Sequence, residues 1–189
     1  KGKYRPGSIV MGYAKSGDDL LTTVNQYGIG YVVSDYYSNG SFWCSYPNKS
    51  FKQRPGVALE KVEAGKVYVS IIFSDGDNLQ FDQNALYAIW TEDSLRGDIP
   101  VGTTLAAGLQ EINPFLLEWY YSHKSDNDEL VAGPSGFQFI YGRDYQEEGY
   151  DEWLELNRKW LASAGFSVAC LWHTTFGTDR FDRYIKTSG

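Results

Sequence analysis

KVYVSIIFSDGDNLQF, residues 66–81, decides how the rest of the chain is read. Its first half is apolar or β-branched at nearly every position, the pattern of a parallel-sheet strand covered on both faces. The run breaks at Ser74-Asp75-Gly76-Asp77-Asn78. Ionised carboxylates are costly to desolvate unless they are paired, hydrogen-bonded or bound to a metal. Their place at the tip of a buried strand has two readings. In one, Asp77 caps the helix predicted over 77–90 and Asp75 sets an Asx turn. In the other, the two carboxylates line a site.

Outward from this stretch, strand-like and helix-like segments alternate. Strands are expected at 8–13, 30–35, 101–106, 129–135 and 166–172, besides 66–73. Helices are expected at 17–28, 77–90, 113–124, 149–165 and 178–187. Asn113 and Pro114 mark one helix start and Gly165 one helix stop. Roughly six β-α units make an α/β fold with a mainly parallel sheet flanked by helices. A complete (β/α) barrel needs about 250 residues, and the chain has 189. The expectation is therefore a single α/β domain over 1–189, incomplete and barrel-like. Residues 36–65 are irregular, and so long a loop is usually functional or mobile.

Charge and composition exclude some functions. A net charge of −7 is wrong for a phosphate backbone, so no nucleic-acid partner is expected. No apolar run is long enough to span a bilayer. With two His and two Cys, a zinc cage of those ligands is not expected. Cys44 and Cys170 build no disulfide framework, and whether they pair is left open.

In parallel α/β folds ligands bind at the carboxyl ends of the strands. Read in order, those ends carry Asp35, then Asp75 and Asp77, then Glu111, then Ser135, then His173. Asp35, Asp75, Asp77 and Glu111 are thus the candidate catalytic acids, and His173 joins the same rim. The plainer readings are a turn for Asp75, a cap for Asp77, a solvated charge for Glu111 and a structural hydrogen bond for His173. Gly133-Pro134-Ser135-Gly136 offers backbone N–H groups to an anion. Aromatics make up 16% of the chain and many fall in loops. Tyr36, Tyr37, Trp43, Tyr120 and Tyr141 are the candidates to stack on a ligand, with sugar rings a natural partner. Asp75, Asp77 and Asn78 also form a set of oxygen ligands suited to Ca²⁺ or Mg²⁺, though no cofactor is required by the sequence.

Several of these stretches together resemble the C-terminal domain of the GxGYxYP putative glycoside hydrolases. The resemblance rests on VYVSIIFSDGDNLQ (67–80), NPFLLEWYY (113–121) and NDELVAGPSGFQFIYG (127–142). The opening stretch, residues 8–47, is also similar to that family. The naming motif falls at Gly136–Gly142, where Gly136 and Tyr141 match while Gln138, Phe139 and Gly142 depart. The resemblance implies a divergent member, an N-terminal companion domain and a secreted or cell-surface bacterial protein. It carries no catalytic residues over. Three activities follow as expectations. The first is hydrolysis of a poly- or oligosaccharide by paired carboxylates, one from the Asp75/Asp77 tip and one from Asp35 or Glu111. The others are carbohydrate binding without turnover and a divalent-metal-dependent modification of carbohydrate.

Overall fold

The computed structural model describes residues 4, 5, 7–54, 61–171 and 176–188. β1 (Ser8–Gly12) leads into α1 (Gly17–Asn25), which begins where the Ser16 side chain accepts a hydrogen bond from the Asp19 N–H. β2 (Ile29–Val33) returns parallel to β1, with Ser8 opposite Ile29 and Gly12 opposite Val33. The short α2 (Gly40–Trp43) lies in the long loop that follows.

A second parallel sheet holds β3 (Ile72–Phe73), β4 (Val101–Leu105) and β5 (Asp128–Ala132) in that order. Parallel bridges Val33–Asn78 and Ala132–Ala169 extend the series at each side. Neighbours in space are thus neighbours in sequence, the order of a (β/α) barrel. The sheets remain open, so the expectation of an incomplete, mainly parallel α/β architecture holds.

Between β3 and β4 come α3 (Leu79–Gln83) and α4 (Ala85–Glu92), and between β4 and β5 come α5 (Leu109–Ile112) and α6 (Pro114–His123). Asn113 caps α6 through its side chain, with Pro114 at the first helical position, as the sequence predicts. α7 (Glu147–Ala164) buries Tyr150, Trp153, Leu154 and Leu161 and stops at Gly165, whose φ is 75°. α8 (Thr178–Ser188) docks on α7 through Arg180 and Arg183, which pair with Glu147 and lie over the Tyr150 ring. The main core runs from Leu79 and Leu86 through Leu105, Leu117 and Leu130 to Trp153. A smaller cluster packs Leu21 and Val24 of α1 on Ile29 and Tyr31 of β2.

Three expectations need correction. Of the apolar run at 66–73, only Ile72–Phe73 is strand, and it is not buried: Val67 is 89% exposed and Ile72 46%. Alternating-free apolarity describes what a segment needs, not what covers it. The helix predicted over 77–90 breaks at Asn84 (φ −120°, ψ −78°), where the side-chain amide donates to the Gln80 carbonyl at 2.7 Å. Such local bonding competes with helix continuation. Of the strand expected at 166–172, the described residues 166–171 keep only the bridge at Ala169, although Cys170 N–H still donates to the Ala132 carbonyl at 2.6 Å. Both cysteines are free thiols, and no described helix is long and apolar enough to cross a membrane.

The bottom of the second sheet is held by one guanidinium. Arg96 bonds Asp128 at 2.5 Å and the His123 carbonyl at 2.8 Å, and lies over Trp90 at 4.5 Å. The Asp128 side chain is 3% exposed. Removing one member of such a pair strands a buried charge. Arg96→Ala is expected to lower the unfolding free energy by about 3 kcal/mol, measured by urea denaturation. A loss within error of zero would mean the pair holds nothing.

Candidate functional site

The acidic tip is built around a backbone crossing. A Cβ on Gly76 would lie 1.6 Å from the Thr104 carbonyl oxygen, so only glycine fits there. Gly76 N–H donates to Thr104 Oγ1 at 3.1 Å, and Ala106 N–H donates to the Gly76 carbonyl at 3.0 Å. Thr104 Oγ1 in turn donates to the Phe73 carbonyl at 3.3 Å. The tip is thereby clamped to the carboxyl end of β4.

Asp75, just before this crossing, has φ 78°. That is the left-handed region, which aspartate tolerates better than most residues. Its side chain is exposed to solvent. Asn78 N–H donates to the Asp75 carbonyl at 3.1 Å, and Asn78 Oδ1 accepts from the Phe81 N–H at 3.2 Å. Asn78, not Asp77, is therefore the cap of α3. The turn after Asp75 carries the chain one residue further before the helix starts.

Freed from capping, Asp77 sits half-buried. Burial pushes its carboxyl up to about 6; a backbone hydrogen bond opposes that rise and the Asp75 charge adds to it. Tyr31, on β2, donates its hydroxyl to the Gly12 carbonyl at 2.8 Å. Burial raises its phenol, and Tyr13, Asp77 and Asp35 raise it further. Residues from the ends of β1, β2 and β3 thus act on one ring. Asp35 and Asp77 both act on Tyr31, and Asp75 acts on Asp77. Glu111 is exposed on α5 and is not among the charges that act on Tyr31, Asp77 or Asp82.

Asp82 was not singled out by sequence reasoning. It is fully buried, and burial raises its carboxyl well above the usual range, with Asp77 and Asp75 adding to the effect. A signal was present: Leu79, Asp82 and Leu86 fall at i, i+3 and i+7, which places a carboxyl in an apolar stripe. Tyr31 was likewise missed, because alternation marks it only as a core position.

The candidate aromatics divide. Tyr36 is 82% exposed. Trp43 stacks on Phe115 at 5.9 Å, with Phe42 and Tyr46 edge-on to this pair. Tyr37 ties its loop down by donating to the Ile112 carbonyl at 2.7 Å. Tyr120 is buried with its hydroxyl on the Asp82 carbonyl at 2.6 Å, so its ring is core and presents no face to a ligand. Ser135 and Tyr141 are also buried. Ser135 Oγ donates to the Ile140 carbonyl at 2.9 Å, the Tyr141 hydroxyl donates to Asp18, and burial pushes that phenol up to about 12. The stretch Gly136–Gly142 is a strap. Gln138 donates to the Gly7 carbonyl at 2.6 Å and accepts from Trp153 Nε1 at 3.2 Å, which fastens β1 to α7. His173 lies outside the described residues.

The residues present do not fit a Ca²⁺ or Mg²⁺ cage at Asp75, Asp77 and Asn78. Asn78 Oδ1 is committed to its helix, and among the described residues no group of three or more His, Cys, Asp or Glu is placed to hold a metal ion. Gly76→Ala is expected to destabilise the protein by about 3 kcal/mol, since the clash is with backbone and cannot be relieved by a side-chain rotation. Thermal unfolding of the variant measures this; an unchanged midpoint would mean the crossing is not tight.

A family model described as the GxGYxYP putative glycoside hydrolase C-terminal domain matches residues 65–184. Among solved structures, a putative hydrolase from Bacteroides thetaiotaomicron VPI-5482 is similar with a TM-score of 0.82 at 24% identity. The similarity covers 95% of this chain and 36% of that one, so the chain spans about a third of the solved protein's length. No curated protein matches the chain. The family model covers the β3 tip and everything the tip is clamped to, and the chain belongs to the GxGYxYP putative glycoside hydrolase C-terminal domain family.

Proposed function

We propose that this hydrolase domain cleaves glycosidic bonds in an oligo- or polysaccharide, with Asp77 as general acid and Asp35 as the second carboxyl group. Glycoside hydrolysis needs two carboxyl groups in opposite protonation states on either side of one bond. One observation carries the reading: burial brings Asp77 to about 6, and Asp35, from the end of another strand, acts with it on the same Tyr31 ring. A carboxyl titrating near neutrality can both hold a proton and release it to a leaving group. Asp75 contributes charge that keeps Asp77 protonated. Glu111 takes no part. Tyr36, next to Asp35 in sequence, and Tyr13, which acts on the same Tyr31 ring, are both exposed and offer faces to a pyranose ring. The family description, a C-terminal domain, supports a companion domain preceding this one.

A second reading is carbohydrate binding without turnover. It is supported by the exposed aromatic group of Phe42, Trp43, Tyr46 and Phe115, which needs no acid to bind a sugar.

Hydrolysis of an oligosaccharide panel by wild type, Asp77→Asn, Asp35→Asn and Glu111→Gln separates the two. Each aspartate change is expected to lower the rate by about 10²–10⁴-fold, with Glu111→Gln near wild type. Activity should fall as pH rises through about 6, where Asp77 loses its proton. Full activity in Asp77→Asn would sink the catalytic reading. Sugar binding lost in Trp43→Ala but kept in Asp77→Asn, with no turnover in wild type, would favour the second.

A further inference from the structure

The tip contains one carboxyl that the proposed chemistry does not use. Asp82 is 0% exposed, and among the described residues neither of its carboxyl oxygens has a hydrogen-bond partner. It belongs to none of the ion pairs among the described residues. A carboxylate in that situation carries its whole desolvation cost uncompensated, and the usual outcome is that it takes up a proton. The groups that face it make ionisation harder still. Asp77 and Asp75 approach from the tip and are acidic. Tyr120, from α6, spends its hydroxyl proton on the Asp82 backbone carbonyl and leaves the carboxyl unserved.

We propose that Asp82 is a positioning residue held as a neutral carboxylic acid beneath the tip, keeping its own proton while Asp77 releases and regains another. This rests on the reading of Asp77 as the exchanging acid and says which of the neighbouring carboxyls is not that acid. An ionised Asp82 would add a second negative charge below Asp77 and hold Asp77 protonated throughout the range where it has to turn over. A neutral Asp82 leaves Asp75 as the one charge of the tip that sets Asp77.

The test needs no substrate, so its failure is separate from any failure to find hydrolysis. The ¹³Cγ shifts of the aspartates are followed against pH in wild type and in Asp82→Asn. In wild type Asp82 should read as protonated across the interval in which Asp77 turns over. In Asp82→Asn, which replaces one neutral group by another, the Asp77 midpoint should stay within a few tenths of a unit. An ionised Asp82 at neutral pH, or an Asp77 midpoint lowered by a unit or more in the variant, overturns the proposal. So does a shift of the Asp82 signal on adding CaCl₂ or MgCl₂, which would put a cation there.

Stability supplies an independent readout. An unfolded Asp titrates near about 3.9, and in the folded protein Asp82 is held above that. The folded state therefore binds more protons, and wild type loses stability as pH rises past the unfolded value. Asp82→Asn lacks that loss. The melting-temperature difference, variant minus wild type, should grow steadily from pH 4 to pH 8. A difference that is the same at every pH overturns the proposal. If the variant does not fold, the wild-type titration alone decides.

Discussion

The close approach of Gly76 to the Thr104 carbonyl is the constraint on which the acidic tip depends. It brings the end of β3 onto the end of β4 with less room than a methyl group needs. The hydrogen bonds from Gly76 N–H and from Ala106 N–H can form because the two backbones lie so near. The crossing also explains the odd conformation before it. Asp75 is held in the left-handed region by its neighbours on both sides, and the turn that results delays the helix by one residue. That delay hands the cap to Asn78 and leaves Asp77 free of a structural task.

Three aspartates then stand at three depths on a short piece of chain. Asp75 is exposed, Asp77 half-buried and Asp82 fully buried. Desolvation disfavours the charged form in proportion to burial, so chemically identical groups become different acids. Asp77 is brought to about 6, and Asp82 is raised well above the usual carboxyl range. Coulombic repulsion among the three works in the same direction but is the smaller effect at both sites. Burial thus moves Asp77 and Asp82 away from the ordinary carboxyl before any ligand is considered.

The polar residues of Gly133–Gly142 serve a different end. Ser135, Gln138 and Tyr141 spend their hydrogen bonds on backbone and on Asp18, within the core and at the strap that joins β1 to α7. The stretch Gly136–Gly142 is a fastening between the first strand pair and the long helix. Its departures at Gln138 and Phe139 are filled accordingly. Gln138 takes a bond from Trp153, and Phe139 pairs antiparallel with Tyr31.

The order of strands and helices, the caps at Asn113 and Gly165 and the parallel pairing could all be read from periodicity and punctuation, because those signals are local. The acid tip was visible for the same reason: carboxylates after an apolar run stand out wherever the run ends. Which aspartate capped α3 was not visible, since a single positive φ at Asp75 moves the helix start and no composition rule sees it. Tyr120 and Tyr141 looked like loop aromatics yet are buried, while Val67 and Ile72 looked buried yet are exposed. Burial depends on what packs against a residue from elsewhere in the chain, and a linear pattern records only the residue's own preference. The separation of Asp75, Asp77 and Asp82 into three depths of burial belongs to the folded state for that reason: desolvation comes from neighbours distant in sequence, and no spacing of aspartates along the chain encodes it.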